Sequence, residues 1–357
     1  MPRLSLLMAL ASVLVVALIG LAACTGGDDD SDPDTQPEGS SEPQPESITF
    51  MPGFKPQANL PFVGAYVADK EGFFAEENLD VKIQHVTTPG DNFRFLAAGE
   101  VQITTADASA LLEHRAGDPP LDLVSIALIG QRGQQGFAVL ADSGIETPAD
   151  WAGKTVGYKG SQVTPDYLAI LGATDVDRGS VNEVRVGFAP QVLAEGQVDI
   201  FPVFVSNEPD TLRQLGFDVT VFEAADYGAP TLGLTYVTTQ GYIDENPDIV
   251  LRFLRAALRG IAYAETNPAE AIDIVLEFAD QEDPAHQRFM MDTELEMAHS
   301  VTADANGIGW QTEEQWQRLH DYLVTFGALS GPLPDITEVF DDTFLSEIYA
   351  DGPDSLK

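Results

Sequence analysis

Strand-like apolar runs alternate with helix-like ones along most of this chain. Then the alternation stops, and everything after Tyr242 reads as helix. Alternation builds mostly parallel sheets with helices on both faces, and a purely helical tail must cover something already built. The first set of runs is "LDVKIQHV" (79–86), a strand, and "DNFRFLAAGE" (91–100), a helix with Asp91 as cap and Gly99 as its end. "VQITTADAS" (101–109) is a strand entering a polar turn, and "LDLVSIALI" (121–129) is apolar enough to be buried on both faces. At "GFAVLADSGIETPADWAGKTVGYKGS" the pattern restarts. Thr164 followed by Pro165 opens a helix, and "NEVRVGF", "VDIFPVFV", "DVTVFEA" and "LTYVTTQ" complete a second strand set. In the tail, Ile249, Phe253, Ala256, Ala257 and Ile261 fall near one helical stripe.

The expected fold class is therefore α/β, with two mixed sheets flanked by helices and a tail that returns to the first half. That arrangement gives two lobes: residues 48–138 plus 238–357, and residues 139–237. Two crossings would join them, near Gly136–Ala141 and Leu234–Gln240. No internal sequence repeat is visible, which disfavours solenoids. A chain of 357 residues suits such a division.

The N-terminus reads as a targeting segment, residues 1–23. Arg3 precedes an apolar run, Leu4 to Gly20, and Leu21, Ala22 and Ala23 precede Cys24. This resembles a bacterial lipoprotein signal, in which Cys24 is lipidated; an uncleaved membrane anchor is the alternative. Either places the folded part outside the cytoplasmic membrane and tethered to it. Residues 24–47 then read as a disordered acidic tether, because they contain no aromatic or aliphatic residue to offset ordering entropy. Cys24 is the sole cysteine, so the folded part has no internal disulfide, thiol nucleophile or cysteine metal cluster.

The formal charge is -39, and removal of residues 1–23 takes away Arg3 alone, leaving 17 basic against 57 acidic residues, or -40. Such a field argues against nucleic acid and anionic headgroups as partners, and leans toward a neutral ligand. No cofactor or metal is expected. The five histidines have no helical metal-site spacing, "GQRGQQG" (130–136) lacks the dinucleotide spacing, and "GKT" at 153–155 has Pro148 where a phosphate loop needs glycine.

Four stretches hold candidate binding residues. "ITFMPGFKPQANLPFVGAYVADKEGFF" (48–74) places Phe54, Lys55, Gln57, Asn59 and Phe62 where a strand hands over to a helix, the usual ligand position in open α/β sheets. "VFVSNEPDTL" (203–212) ends a hydrophobic strand on Phe204 and follows it with Asn207 and Glu208, as ligand acceptors or as caps of the next helix. Gln131 and Arg132 lie in a loop beyond a buried strand, facing either a ligand or solvent. In "ADYGAPTLGL" (225–234), Tyr227 either stacks on a flat ligand or anchors the hinge.

Together these residues resemble the periplasmic-binding proteins grouped with the thiamine-pyrimidine and alkanesulfonate transporters. The resemblance rests on "ANLPFVGAYVADKEGFFAEENLDVKI", on "LAAGEVQITTADAS" (with Gln102 where the group has an acid), on "DWAGKTVGYKGS" and on "AEGQVDIFPVFVSNEP". "GFKPQANLPFVGAYVA" looks closest to the group's riboflavin-binding, RibY-type branch, with the aminopyrimidine-binding branch as near neighbour.

The resemblance implies a type II-like periplasmic-binding fold that closes on a small heteroaromatic ligand and works with the transmembrane subunit of an ABC permease. It implies a monomer, lipid-anchored on the extracytoplasmic side of the cell membrane. Riboflavin would be transported ligand, not cofactor. Phe54, Phe62, Tyr158 and Tyr227 would sandwich the ring, with Ser161 and Phe204 nearby, while Gln57, Asn59, Asp107, Asn207 and Glu208 would pair with its edges and its hydroxylated chain. The group also contains a pyrimidine-making enzyme, which depends on a cysteine-rich segment; this chain has no cysteine after Cys24, and catalysis is not expected.

Overall fold

A computed structural model describes residues 44–357 apart from Pro89, Ser161 and Ser330. The targeting segment, Cys24, most of the expected tether and the candidate Ser161 therefore lie outside the described residues. Among the described residues, no helix is long and apolar enough to cross a membrane.

Among the described residues, ten strands form the framework. They are β1 (Glu46–Met51), β2 (Leu79–Ile83), β3 (Ile103–Asp107), β4 (Leu123–Leu128), β5 (Gln135–Leu140), β6 (Thr155–Tyr158), β7 (Asn182–Arg185), β8 (Phe201–Phe204), β9 (Val219–Glu223) and β10 (Leu234–Thr239). Since β1 begins at Glu46, the tether stops short of residue 47. The first sheet has the order β2-β1-β3-β10-β4. In it β1 runs parallel to β2 and β3, and β10 runs antiparallel to both β3 and β4. The second sheet is centred on β8-β5-β9, with β5 antiparallel to both neighbours. The parallel pair β6-β7 joins its β8 edge through Gly157 N to Ile200 O (2.8 Å) and Asp199 N to Thr155 O (2.9 Å).

The chain changes sheets in the segments 129–134 and 224–233, a few residues before each expected crossing. The segments "GFAVLA" and "LTYVTT" are already ladder strands, so they cannot also be the connections. The two crossings lie against each other. Gly130 N donates to Leu234 O (2.9 Å) and Gly233 N to Gly130 O (2.8 Å). A Cβ on Gly130 would sit 2.7 Å from the Gly233 Cα, so only glycine permits this approach.

The helical tail covers the first sheet. Helix Pro247–Thr266 carries a long apolar face, and its Phe253, Ala256, Ala257 and Ile261 are buried against β1, β10 and helix Leu60–Lys70. Phe50, Tyr236 and Phe253 form a cluster with ring centroids 5.4–5.8 Å apart. Helices Leu60–Lys70 and Pro247–Thr266 cross on Gly64 and Gly260, where a Cβ on Gly260 would meet Gly64 O at 2.1 Å. Tyr236 Oη donates to Pro61 O (2.6 Å) and fixes the start of helix Leu60–Lys70 over the sheet. Two expected caps divide. Thr164 caps helix Pro165–Ala173 by accepting from Tyr167 N, but Asp91 is already inside its helix, which follows Gly90 instead.

Candidate functional site

The loop from β1 to helix Leu60–Lys70 is held from below before it presents anything to solvent. Gly53 N donates to Thr105 Oγ1 (2.9 Å), and a Cβ there would strike Thr105 O at 2.8 Å. Ala58 N donates to Gln287 Oε1 (2.7 Å). His85, behind the loop, bonds Phe54 O (2.7 Å) through Nδ1 and Tyr66 Oη (2.6 Å) through Nε2, and burial lowers its pKa. A short span of chain is thus pinned at three points, Gly53, Phe54 and Ala58, and its side chains are aimed by its backbone.

Above it lies a cavity of about 420 Å³, within the size range of small-molecule sites. Of the fourteen ligand-binding residues read from the sequence, nine line it: Phe54, Lys55, Gln57, Asn59, Phe62, Asp107, Phe204, Asn207 and Glu208. The first six come from the first sheet's loops and strand ends and, for Phe62, from helix Leu60–Lys70, and the last three from the end of β8. The wall also includes Ser206, next to Asn207 in the same turn, and Asn92, Phe93, Thr105, Phe188, Thr211 and Met290, which the sequence did not single out.

Two aromatic rings stand open in this cavity, one from each sheet's loops. Phe54 is 37% exposed and Phe188 is 68% exposed. Phe62, by contrast, is buried, edge-on to His85. Lys159 Nζ lies 5.4 Å from the Phe188 ring centroid and 5.0 Å from that of Phe201. Its partner is Glu208, at 2.5 Å, in a pair largely removed from water. The other Glu208 oxygen accepts from Phe204 N (2.7 Å). Both oxygens of Glu208 therefore shape the β8 end rather than wait for a ligand. Asn207 accepts through Oδ1 from His286 Nε2 (3.0 Å), whose Nδ1 meets Asp210 Oδ2 (2.7 Å). Lys55 stands at the rim, paired with Glu282.

Asp107 caps helix Ala108–Arg115 by accepting from Ser109 N (3.0 Å). Burial pushes its pKa up to about 7, and the nearby Asp166 and Glu113 charges add to that. Asp166, bonded by Tyr322 Oη (3.0 Å), is pushed up to about 6 by burial. Asp107 and Ala110 also line a second cavity, of about 230 Å³, with Ser109, Gln135, Thr164 and Asp166 on its wall.

Four expected site residues sit elsewhere. Gln131 is buried and fully spent on bracing: its Nε2 donates to Leu128 O and Trp310 O (both 2.8 Å), and its Oε1 accepts from Ser300 Oγ (3.0 Å) and Gln315 Nε2 (2.9 Å). Arg132, in the first crossing, pairs with Glu223 and Asp226 (2.8 Å each) and lines a different surface cleft. Tyr158 ends β6 opposite Arg185, and the second sheet reaches the cavity through the later turn at Phe188 instead. Tyr227 closes a one-turn helix beside the second crossing and packs on the core near Trp151 and Tyr167. Gln131, Arg132 and Tyr227 lie in the two crossings and so sit away from the cavity, whereas Tyr158 ends a strand of the second sheet.

One buried acid behind the cavity wall was also missed. Glu294, in helix Pro284–Ala298, accepts from Leu60 N (2.6 Å), Asn59 Nδ2 (2.5 Å) and Ser206 Oγ (3.2 Å). Burial pushes its pKa up to about 7, while those donors pull it back.

A family model described as NMT1/THI5 like matches residues 59–271. The formylaminopyrimidine-binding protein of Halalkalibacterium halodurans is 28% identical over 341 residues, 93% of this chain and 97% of that one. The riboflavin-binding protein RibY of Chloroflexus aurantiacus is 27% identical over 345 residues, 93% of this chain and 96% of that one. Among solved structures, the periplasmic aliphatic sulphonate binding protein SsuA of Escherichia coli aligns with a TM-score of 0.63 at 12% identity, covering 84% of this chain and 99% of that one. At that identity the likeness is one of fold, and it makes the two-sheet α/β framework a periplasmic-binding fold.

Proposed function

The chain belongs to the NMT1/THI5-like family, and from that premise we propose that it is the solute-binding subunit of an ABC importer, with riboflavin as its ligand. Two lobes, one around each sheet, close on the cavity about the paired crossings. Cys24 carries the lipid that holds the protein outside the cytoplasmic membrane. Both full-length relatives have binding-protein names, and the reading is of a receptor rather than a catalyst.

The observation that carries the ligand class is the pair of open rings, Phe54 and Phe188, over a wall of amides. A flat heteroaromatic ring covers both faces and finds hydrogen-bond partners at its edge. Charge argues against an anion. Among the described lining residues, Lys55 is paired with Glu282, and the Glu208 carboxylate is paired with Lys159. The helix N-termini at the cavity, ready-made anion sites in other proteins, carry acids: Glu294 serves Leu60 N, Asp107 accepts from Ser109 N, and Asp91 and Glu208 lie in the first turns of their own helices. A sulfonate would meet no unpaired cationic side chain among the described lining residues. The adjoining cavity at Asp107, with Ser109, Thr164 and Asp166 on its wall, offers acceptors to a hydroxylated chain and supports riboflavin. An aminopyrimidine is the second reading, because the formylaminopyrimidine-binding relative spans the chain as fully as the riboflavin one.

The test is a titration of the refolded, ligand-stripped protein with riboflavin, following flavin and tryptophan fluorescence. A receptor for import requires saturable binding at about micromolar affinity or tighter, or about -8 kcal/mol. Binding of the aminopyrimidine with no response to riboflavin moves the chain to the second reading, and silence with both rejects the proposed ligand class.

A further inference from the structure

Glu294 is only 3% exposed and is not itself a lining residue of the cavity. Its contacts nevertheless decide what the cavity presents. Oε2 accepts the backbone N–H of Leu60, a group that can only donate. The N-cap residue of that helix, Asn59, makes no capping bond with its own side chain, so Glu294 supplies the negative end from another helix. A carboxylate can only accept. Oε1 therefore draws the NH₂ of Asn59 toward itself (2.5 Å). That leaves Asn59 Oδ1 pointing at Gln57, where it accepts from Gln57 Nε2 (2.5 Å). With its NH₂ turned to Asn59, Gln57 is left with its carbonyl Oε1, which has no hydrogen-bond partner among the described residues, on a side chain that lines the cavity.

We propose that Glu294 is a positioning residue that sets the hydrogen-bonding polarity of the cleft, relayed through Asn59 to Gln57, so that the site takes ligands presenting an N–H donor at this edge. This rests on the proposed function, in that a heteroaromatic ligand fills the cavity. The exocyclic amine of an aminopyrimidine and the imide N–H of an isoalloxazine supply the same donor, so the relay selects the chemistry both share. A ligand that replaces the donor by a methyl group or a carbonyl faces Gln57 Oε1 with no proton to give, and an unpaired buried acceptor is costly. Ser206 Oγ, which donates to the same Glu294 oxygen (3.2 Å), ties the second sheet's strand end to the same acceptor.

The experiment compares wild type with Glu294→Gln in the full chain at about pH 8.5, where the carboxylate is ionised. The probes are riboflavin against 3-methylriboflavin, and a 4-aminopyrimidine against its 4-dimethylamino counterpart; whichever pair binds identifies the source of the donor. Wild type should prefer the N–H ligand by about tenfold or more. In Glu294→Gln a neutral amide can donate to Asn59 Oδ1, both downstream amides can turn over, and the preference should collapse or invert. An unchanged preference in a folded variant overturns the relay. A second measurement needs neither variant nor ligand: the trans-hydrogen-bond coupling from Asn59 Nδ2 to the Glu294 carboxyl carbon in the ligand-free wild type. Its presence supports the relay, and its absence sinks it. If neither probe pair binds, the ligand class is wrong and this coupling alone decides the relay.

Discussion

The two sheets share one topology and both have apolar cores, the second around Phe137, Trp151, Tyr167 and Phe222, but they differ in strand length and at the cavity. Written side by side, β2-β1-β3-β10-β4 and β7-β6-β8-β5-β9 are the same order. In each, the antiparallel member, β10 or β5, is the strand that has just crossed from the other sheet. The first sheet is held by packing: β4 is buried along its whole length, and Phe50, Tyr236 and Phe253 interlock under a long helix. The second has strands as short as four residues, and β7 has no buried residue. Its cavity-facing end is held by polar contacts, Lys159 with Glu208 and His286 with Asp210 and Asn207. An apolar scaffold keeps its shape regardless of ligand. A polar strand end can exchange partners when a ligand arrives.

The comparison breaks most visibly at the helix crossing over the first sheet. Gly260→Val puts side-chain atoms where a Cβ alone would already meet Gly64 O at 2.1 Å. Backbone against backbone cannot relax by a rotamer change, so the cost should reach about 3 kcal/mol or more. The check is the midpoint of urea unfolding, and an unshifted midpoint would mean that this crossing does not hold the scaffold.

In the second sheet the matching weak point is electrostatic. Glu208→Ala leaves Lys159 in a pocket beside Phe201 with no carboxylate and frees Phe204 N. The expected loss is about 3 kcal/mol of stability, and much of it should return in the double variant Lys159→Met with Glu208→Ala. If the single variant weakens ligand binding but leaves unfolding unchanged, Glu208 is a ligand contact and not a brace.

Where the two sheets' loops meet, Glu294 makes stability depend on pH. Its folded pKa is about 7, against the usual 4.5. A raised carboxyl pKa means that the folded chain holds a proton the unfolded chain has released. The contribution is thus fully present below about pH 4.5, is lost as pH rises to about 7, and is flat above, with a size of about 3 kcal/mol. Asp107 and Asp166 act with the same sign. The difference between wild type and Glu294→Gln isolates the Glu294 share, and equal slopes in the two would place the proton elsewhere.

Much of this was legible in the sequence, for identifiable reasons. The alternation of runs carries the two-sheet plan, and the density of amides and aromatics at 53–62 marks the first loop, because both signals are local. The crossings were displaced because "GFAVLA" and "LTYVTT" look like fresh starts, whereas the chain has already changed sheets at Gly130 and Gly233. The topological repeat leaves no sequence repeat, since packing requires only strand order and not side-chain identity. Gln131 and Arg132 read equally as cleft or solvent residues because a polar loop follows a buried strand, and only the contact between Gly130 and Gly233 shows that this loop is a crossing between sheets. Glu294 is one acid among several in a helix, and its partner Asn59 is 235 residues away. Phe188 ends a run, "NEVRVGF", whose alternation reads as core.

Phe188 supplies the smallest effect and the sharpest contrast. At 68% exposure it stabilises little, unlike the fully buried Phe253. Phe188→Ala should leave the unfolding midpoint within about 0.5 kcal/mol of wild type, because so little apolar area leaves the interior. If the ring covers one face of a bound heteroaromatic, the same change should weaken binding by about 1 kcal/mol, or several-fold in Kd. Phe253→Ala should do the reverse, lowering stability by about 3–5 kcal/mol with binding intact wherever the protein stays folded. A Phe188→Ala variant that binds as tightly as wild type would leave the ring on Phe54 alone, and the second lobe would then meet the ligand only through its polar strand end.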